Sequence, residues 1–230
     1  MNRCGHIFEI PLPGLFHGTY LAEVVDLDDP ENLSRVQVRL LNFDGVDDHD
    51  GPLWARVALP FAGDNRGTFF IPDVGDEVLV TFVNGDPRFP IVVGGLWNGS
   101  ASPPDSISGG RNVRKVIRSK NGVKITLEDE NGREKFIAET PGGQKITLKD
   151  GPGSVVIEDS NGNSIKIAPA GITITAPAKV TVNASQVAVS AGLVTVDAGM
   201  SRFSGVVQCD TLISNTVISA VYTPGAGNIW

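Results

Sequence analysis

Apolar side chains in the last third of the chain fall in pairs separated by one residue: Ile165 and Ile167, Ile172 and Ile174, Val180 and Val182, Val187 and Val189, Val194 and Val196. Successive pairs begin seven or eight residues apart, and Gly, Pro, Ala, Ser and Asn fill the gaps. Side chains alternate between faces along a strand, so each pair predicts a very short strand with one apolar side. A seven-residue period also suggests a coiled-coil heptad, but heptads set apolar residues three and four apart on helix formers. These pairs are β-branched, two apart, and interrupted by Gly171, Pro177 and Gly192, which excludes the helix.

None of these strands can bury its apolar side alone. A single-chain β-helix coil usually needs roughly 18 or more residues per turn to enclose a core of its own, and phrases of seven or eight are too short for that. Three chains, each giving one face of a triangular cross-section, would enclose a core and leave open strand edges only at the two ends. At ~4.8 Å per strand, about ten to twelve strands make a rod on the order of 50 Å long. The ten paired Ile and Val residues are the predicted trimer core.

Upstream, 18–27, 34–41, 53–58, 75–82 and 91–96 read as strands. Turn signals separate them: Asp28-Asp29-Pro30-Glu31-Asn32, Asp47-Asp48-His49-Asp50-Gly51-Pro52 and Asn84-Gly85-Asp86-Pro87. About five strands with one long loop suit a Greek-key barrel of the OB type. Trp54, Phe69, Phe82 and Trp97 are expected in its core or closing its ends.

Residues 98–110 have linker composition, and a basic decade follows with Arg111, Arg114, Lys115, Arg118 and Lys120. It reads either as an anion-binding collar or, as expected here, as a charge-balanced start to the second domain. Beyond it lie short strands, among them 123–127 and 145–148, with tight turns at Asn121-Gly122, Asn131-Gly132, Gly142-Gly143 and Asn161-Gly162. After residue 160 the only charges are Lys166, Lys179, Asp197, Arg202 and Asp210. The expected organisation is all-β. It comprises an N-terminal arm (1–13), an OB-fold barrel (14–98), a linker (99–111), a trimeric β-helix or β-prism needle (112–222) and a tip (223–230).

The formal charge of -7 disfavours a phosphate backbone as main ligand, and the barrel's acidic loops disfavour single-stranded nucleic acid, so no nucleic-acid partner is expected. Cys4 and Cys209 form no disulfide framework, which fits a reducing compartment during folding. No apolar run has signal-peptide or membrane-span length. Cys4 with His6, or His49 among Asp47, Asp48 and Asp50, fall short of three or four converging metal ligands, and His17 stands apart. Glu128 and Glu130 flank a turn and read as surface charge. No nucleophile elbow, phosphate loop or His-Glu-x-x-His occurs, so no catalytic, cofactor-binding or metal residue is expected.

Four stretches carry a family resemblance: Asp29-Pro30-Glu31-Asn32-Leu33-Ser34-Arg35-Val36-Gln37-Val38, Trp54-Ala55-Arg56-Val57-Ala58, residues 67–80, and residues 85–99 with Gly94-Gly95-Leu96-Trp97-Asn98-Gly99. With the needle pattern behind them, they resemble the central spikes of contractile injection machines. That family includes phage baseplate assembly proteins of the V type and the valine-glycine-repeat spikes of type VI secretion. The resemblance implies a non-enzymatic homotrimer that docks through its barrel on a separate hub or baseplate protein. It would pierce an envelope mechanically and meet the target membrane only transiently.

The resemblance also implies a small PAAR-type tip protein on the needle end, with Thr223, Pro224, Asn228, Ile229 and Trp230 as the interface. A self-folded end with Trp230 on the three-fold axis is the other reading. Lysozyme, toxin and hub domains of some relatives have no counterpart in the sequence. Assembly in the cytoplasm and incorporation into the baseplate of a virion, secretion system or extracellular particle follow from the same likeness. A trimeric fibre or adhesin binding a surface receptor is the alternative; aromatic grooves would support it, and the needle has very few aromatics.

Overall fold

The computed structural model describes residues 15–43 and 51–221. They fall into two compact units, one running to Lys179 and one from Val180. The first unit opens with strands β1 (Thr19–Asp26), β2 (Val36–Leu40) and β3 (Leu53–Val57). A two-rung hairpin follows, β4 (Ala62–Gly63) and β5 (Arg66–Gly67), and then β6 (Glu77–Phe82) and β7 (Pro90–Leu96).

Strands β1, β2, β3, β7 and β6 close into a barrel in that order, with β3 and β7 parallel and the other neighbours antiparallel. Alternation made this legible: Ala22 and Val24, Val36 and Val38, Val78 and Val80, and Val92 point inward and are fully or almost fully buried. β-Branched valine suits such a pleated, tightly curved wall. This is the expected OB-type barrel, and the described residues are all-β apart from two short 3-10 turns, Leu41–Phe43 and Val83–Gly85. Among the described residues no helix is long and apolar enough to cross a membrane.

The barrel's two poles differ. At one, Phe16 packs on Tyr20 and Phe82 with ring centroids 5.4 and 4.9 Å away, and the Phe16 amide donates to the Gly85 carbonyl at 2.7 Å. At the other, Asp29 is buried and organises the β1–β2 turn. Its carboxylate accepts from the backbone amides of Glu31, Leu33 and Arg35, and from the Arg35 guanidinium at 2.7 Å. These donors, led by Arg35, hold the Asp29 carboxyl well below its ordinary value. On the turn before β7, Arg88 grips Asp86 at 2.6 Å and lowers it to about 2.

Two of the four aromatic side chains expected in or around the core are elsewhere. Phe82 is buried and Trp54 half-buried, but Phe69 and Trp97 are 74% and 68% exposed. Phe69 rides on the β5–β6 connection outside the barrel, and Trp97 follows β7 where the chain leaves it.

The first unit continues with seven five-residue strands: β8 (Arg114–Arg118), β9 (Lys124–Glu128), β10 (Lys135–Glu139), β11 (Lys145–Lys149), β12 (Ser154–Glu158), β13 (Ser164–Ala168) and β14 (Gly171–Thr175). They form one antiparallel meander in chain order. Gly122, Gly143 and Gly162 turn the chain at one margin with φ of 91°, 85° and 82°. A Cβ on these glycines would lie 3.1 Å from Pro141, 3.0 Å from Ser160 and 3.3 Å from Pro177, respectively. Each turn therefore seats against the next, and glycine serves both the left-handed φ and the close approach.

The second unit departs from the expected run of strands. Among the described residues none after Thr175 belongs to a ladder. The chain there has no regular secondary structure, with bends at Ser185, Gly192 and Gly199, then Gly205, Asp210, Asn215 and Ala220. The expected arm (1–13), the tip positions Thr223, Pro224, Asn228, Ile229 and Trp230, and Cys4, His6 and His49 lie outside the described residues.

Candidate assembly interface

The register of the meander lines up two rows of side chains on one face. Ile117, Ile125, Ala138, Ile146, Ile157, Ile165 and Ile174 each stand opposite the next. Beside them run Lys115, Leu127, Phe136, Leu148, Val155, Ile167 and Ile172. Large apolar side chains along both rows are left open to solvent by the chain itself, from 36% at Phe136 to 69% at Ile172. An apolar area of this extent on one face marks a contact surface.

The opposite face covers itself. Its middle row includes Thr126, Ile137 and Thr147, which are buried or half-buried although the face is rich in charge. Flanking Lys and Glu stems lie over that row and pair at their heads: Lys135 with Glu128 at 2.6 Å, Lys124 with Glu139 at 3.4 Å, and Lys145 with Glu158 at 3.4 Å. One face is therefore finished toward water and the other is not.

The structure brings four expected core residues together: Ile165 opposite Ile174 and Ile167 opposite Ile172. Val180, Val182, Val187, Val189, Val194 and Val196 lie in the second unit outside any assigned strand, 58–71% exposed. No ladder within the described residues joins them. The sequence reading missed the N-terminal part of the rows: Ile117, Ile125 with Leu127, Phe136 with Ala138, Ile146 with Leu148, and Val155 with Ile157. The same spacing was present there, but charges frame the first three pairs and Glu158 follows the last.

The basic decade is largely neutralised: Arg114 meets Asp105 at 2.8 Å, Lys115 meets Asp129 at 2.6 Å and Lys120 meets Asp73 at 3.6 Å. That is a charge-balanced surface and not an anion cradle. Asp159 holds the β12–β13 turn through Asn161 and Asn163, and these donors, Asn163 first, lower its carboxyl. Cys209 is an exposed thiol.

Comparison with known proteins matches residues 20–97 to the type VI secretion system/phage-baseplate injector OB domain. Residues 135–200 match the phage baseplate V C-terminal trimerisation domain. Among relatives, the type VI secretion system spike protein VgrG1c of Pseudomonas aeruginosa is 32% identical over 104 residues, 42% of this chain and 14% of its own length. VgrG4b of the same organism is 35% identical over 98 residues, 40% of this chain and 12% of its own length. The spike protein VgrG3 of Vibrio cholerae is 33% identical over 89 residues, 36% of this chain and 9% of its own length.

The aligned part of this chain thus spans at most 14% of the length of these relatives. The barrel topology, the self-association face and both domain matches converge. The chain belongs to the baseplate-spike family of contractile injection systems, with an injector-type OB domain ahead of a baseplate V trimerisation domain.

Proposed function

We propose that the protein is the homotrimeric central spike of a contractile injection machine, acting mechanically and without catalysis. One observation carries this reading: one row of apolar side chains crosses seven strands and a second crosses six of them, on a face the chain does not cover. Three such faces turned inward make a closed prism with the charged faces outside. Burying them is worth about 25 cal/mol per Å² of apolar surface removed from water. Five residues per strand give each side of the prism a width of ~17 Å, and seven strands give a length of ~30 Å.

Residues 176–221 extend the argument. Their backbone N–H and C=O groups have no ladder within the described chain, and buried peptide groups need partners. We infer that ladder bonds run between chains here, so the six valines from Val180 to Val196 line an intertwined needle. The core then fails only when all its bonds fail together, and that makes a stiff point. In this reading the sheath supplies the work and the spike concentrates it on a small area of envelope.

The hub would meet the barrel pole around Phe16 and Gly85, which faces away from the sheet. A PAAR-type protein would meet Thr223, Pro224, Asn228, Ile229 and Trp230. Light scattering on a sizing column tests the core claim. A salt-insensitive particle of about 73 kDa, three times the 24.3 kDa chain, is expected. A folded monomer would overturn it.

A further inference from the structure

The barrel pole that faces the sheet carries an apolar surface which the barrel fold does not use. Glu77 pairs with Leu96 in the barrel, so β7 delivers Trp97 to the pole where Val74 and Phe70 also stand. Phe70, Val74 and Trp97 are 64%, 54% and 68% exposed. With Ile117 they line a notch of about 870 Å³ between the β5–β6 connection, the start of the linker and strand β8. Trp97 also walls a second cleft of about 410 Å³ against the linker. The Lys120 ammonium, 3.6 Å from the Asp73 carboxylate, bridges the sheet and barrel sides of the notch.

Two features give this notch an occupant. Ile117 is both a wall of the notch and the first member of the apolar row that continues into the matched trimerisation region at Ala138, Ile146 and beyond. The self-association face therefore runs into the notch without a break. Strand β8 is the last strand at that end of the sheet, and its outer edge has no strand partner among the described residues. An open edge beside apolar side chains is a place for another chain.

We infer that the notch is filled by a neighbouring copy of this chain, so that the subunit contact climbs from the sheet onto the OB barrel with Trp97 as its anchor. This rests on the trimeric reading above. In a three-fold ring each contact is heterologous, so one copy's notch receives a different surface of the next. A large aromatic side chain in a desolvated pocket is the kind of residue that dominates such a contact. The consequence is a collar whose barrels are fixed against the needle and do not swivel on the linker.

The test uses the full chain with Trp54→Phe and Trp230→Phe, leaving Trp97 as the only indole. Light scattering reports the mass, and acrylamide quenching reports the exposure of Trp97. The expected result is a trimer in which Trp97 is quenched several-fold less than tryptophan amide. A trimer whose Trp97 is quenched as readily as tryptophan amide overturns this inference and leaves the trimer standing. A monomer overturns the trimeric reading and this inference with it. As a second arm, Trp97→Arg in the otherwise native chain should lower the urea midpoint of trimer dissociation while the barrel's circular dichroism is kept. An unchanged midpoint also counts against the inference.

Discussion

Ile117 and Ile174 stand at opposite ends of one side-chain row, joined across seven strands by five intervening residues that each face the next. Because strand side chains alternate, a residue in this row and its chain neighbour meet opposite environments. Ile146→Asp would place three unpaired carboxylates inside the assembled core, each costing on the order of several kcal/mol. Thr173→Asp, exposed beside Lys166 on the charged face, should change stability by less than ~1 kcal/mol. Sizing with light scattering separates the two: the first variant should lose the trimer and the second keep it.

Asp29 gives a pH signature. Its folded carboxyl lies below the ordinary 3.8, so its contribution is fully present above that value and fades as the pH falls below it. Asp29→Asn should lower the thermal midpoint by several degrees near neutral pH. The gap from the native protein should narrow steadily on acidification below about pH 4. A gap that widened in acid would contradict the role given to Arg35.

Adjacent glycines in the β10–β11 turn should respond differently. Gly143 has φ of 85° and would set a Cβ 3.0 Å from Ser160, whereas Gly142 would meet only the mobile end of Gln144. Gly143→Ala should cost about 1–2 kcal/mol in a urea melt, from the left-handed backbone alone. Gly142→Ala should be near neutral.

The charged face should matter little. Lys135 and Glu128 sit 2.6 Å apart, but both are partly solvated. A double-mutant cycle with Lys135→Met and Glu128→Gln should return a coupling of about 0.2–1 kcal/mol. The trimer mass should be indifferent to salt.

Limited proteolysis should map the two kinds of backbone. In a dissociated chain, cuts should concentrate after residue 179, where no ladder protects the peptide groups. In the assembled protein the same bonds should resist. Equal cleavage in both states would argue against ladders between chains.

Much of this was legible in the sequence, for a physical reason. In the barrel, Val36 and Val38 alternate with Gln37 and Arg39, and Val78 and Val80 are the inward members of β6, because one side of each strand meets a core built by the same chain. The strand phrases around Ile165 and Ile167 and around Ile172 and Ile174 followed from the same alternation. Trp97 and Phe69 were misplaced because the presence of an aromatic residue beside a strand does not say whether its ring turns into the barrel or out to solvent. Ile125, Leu127, Ile146 and Leu148 escaped notice because Lys124, Glu128, Lys145 and Lys149 flank them, although those charges belong to the other face. The state of residues 180–221 was beyond reach in principle, since one chain's sequence does not say which chain completes its backbone bonds.

The stacked glycine turns also bear on how such a protein can diverge. Lys-Ile-Thr-Leu occurs at 124–127 and again at 145–148, one hairpin later. Loss or duplication of that hairpin would return the chain to the same margin, facing the same way, with Gly122, Gly143 or Gly162 ready to seat the next turn. Loss of a single strand would send the chain out at the wrong margin. Reach in this lineage should therefore be inherited in steps of two strands, ~10 Å at a time.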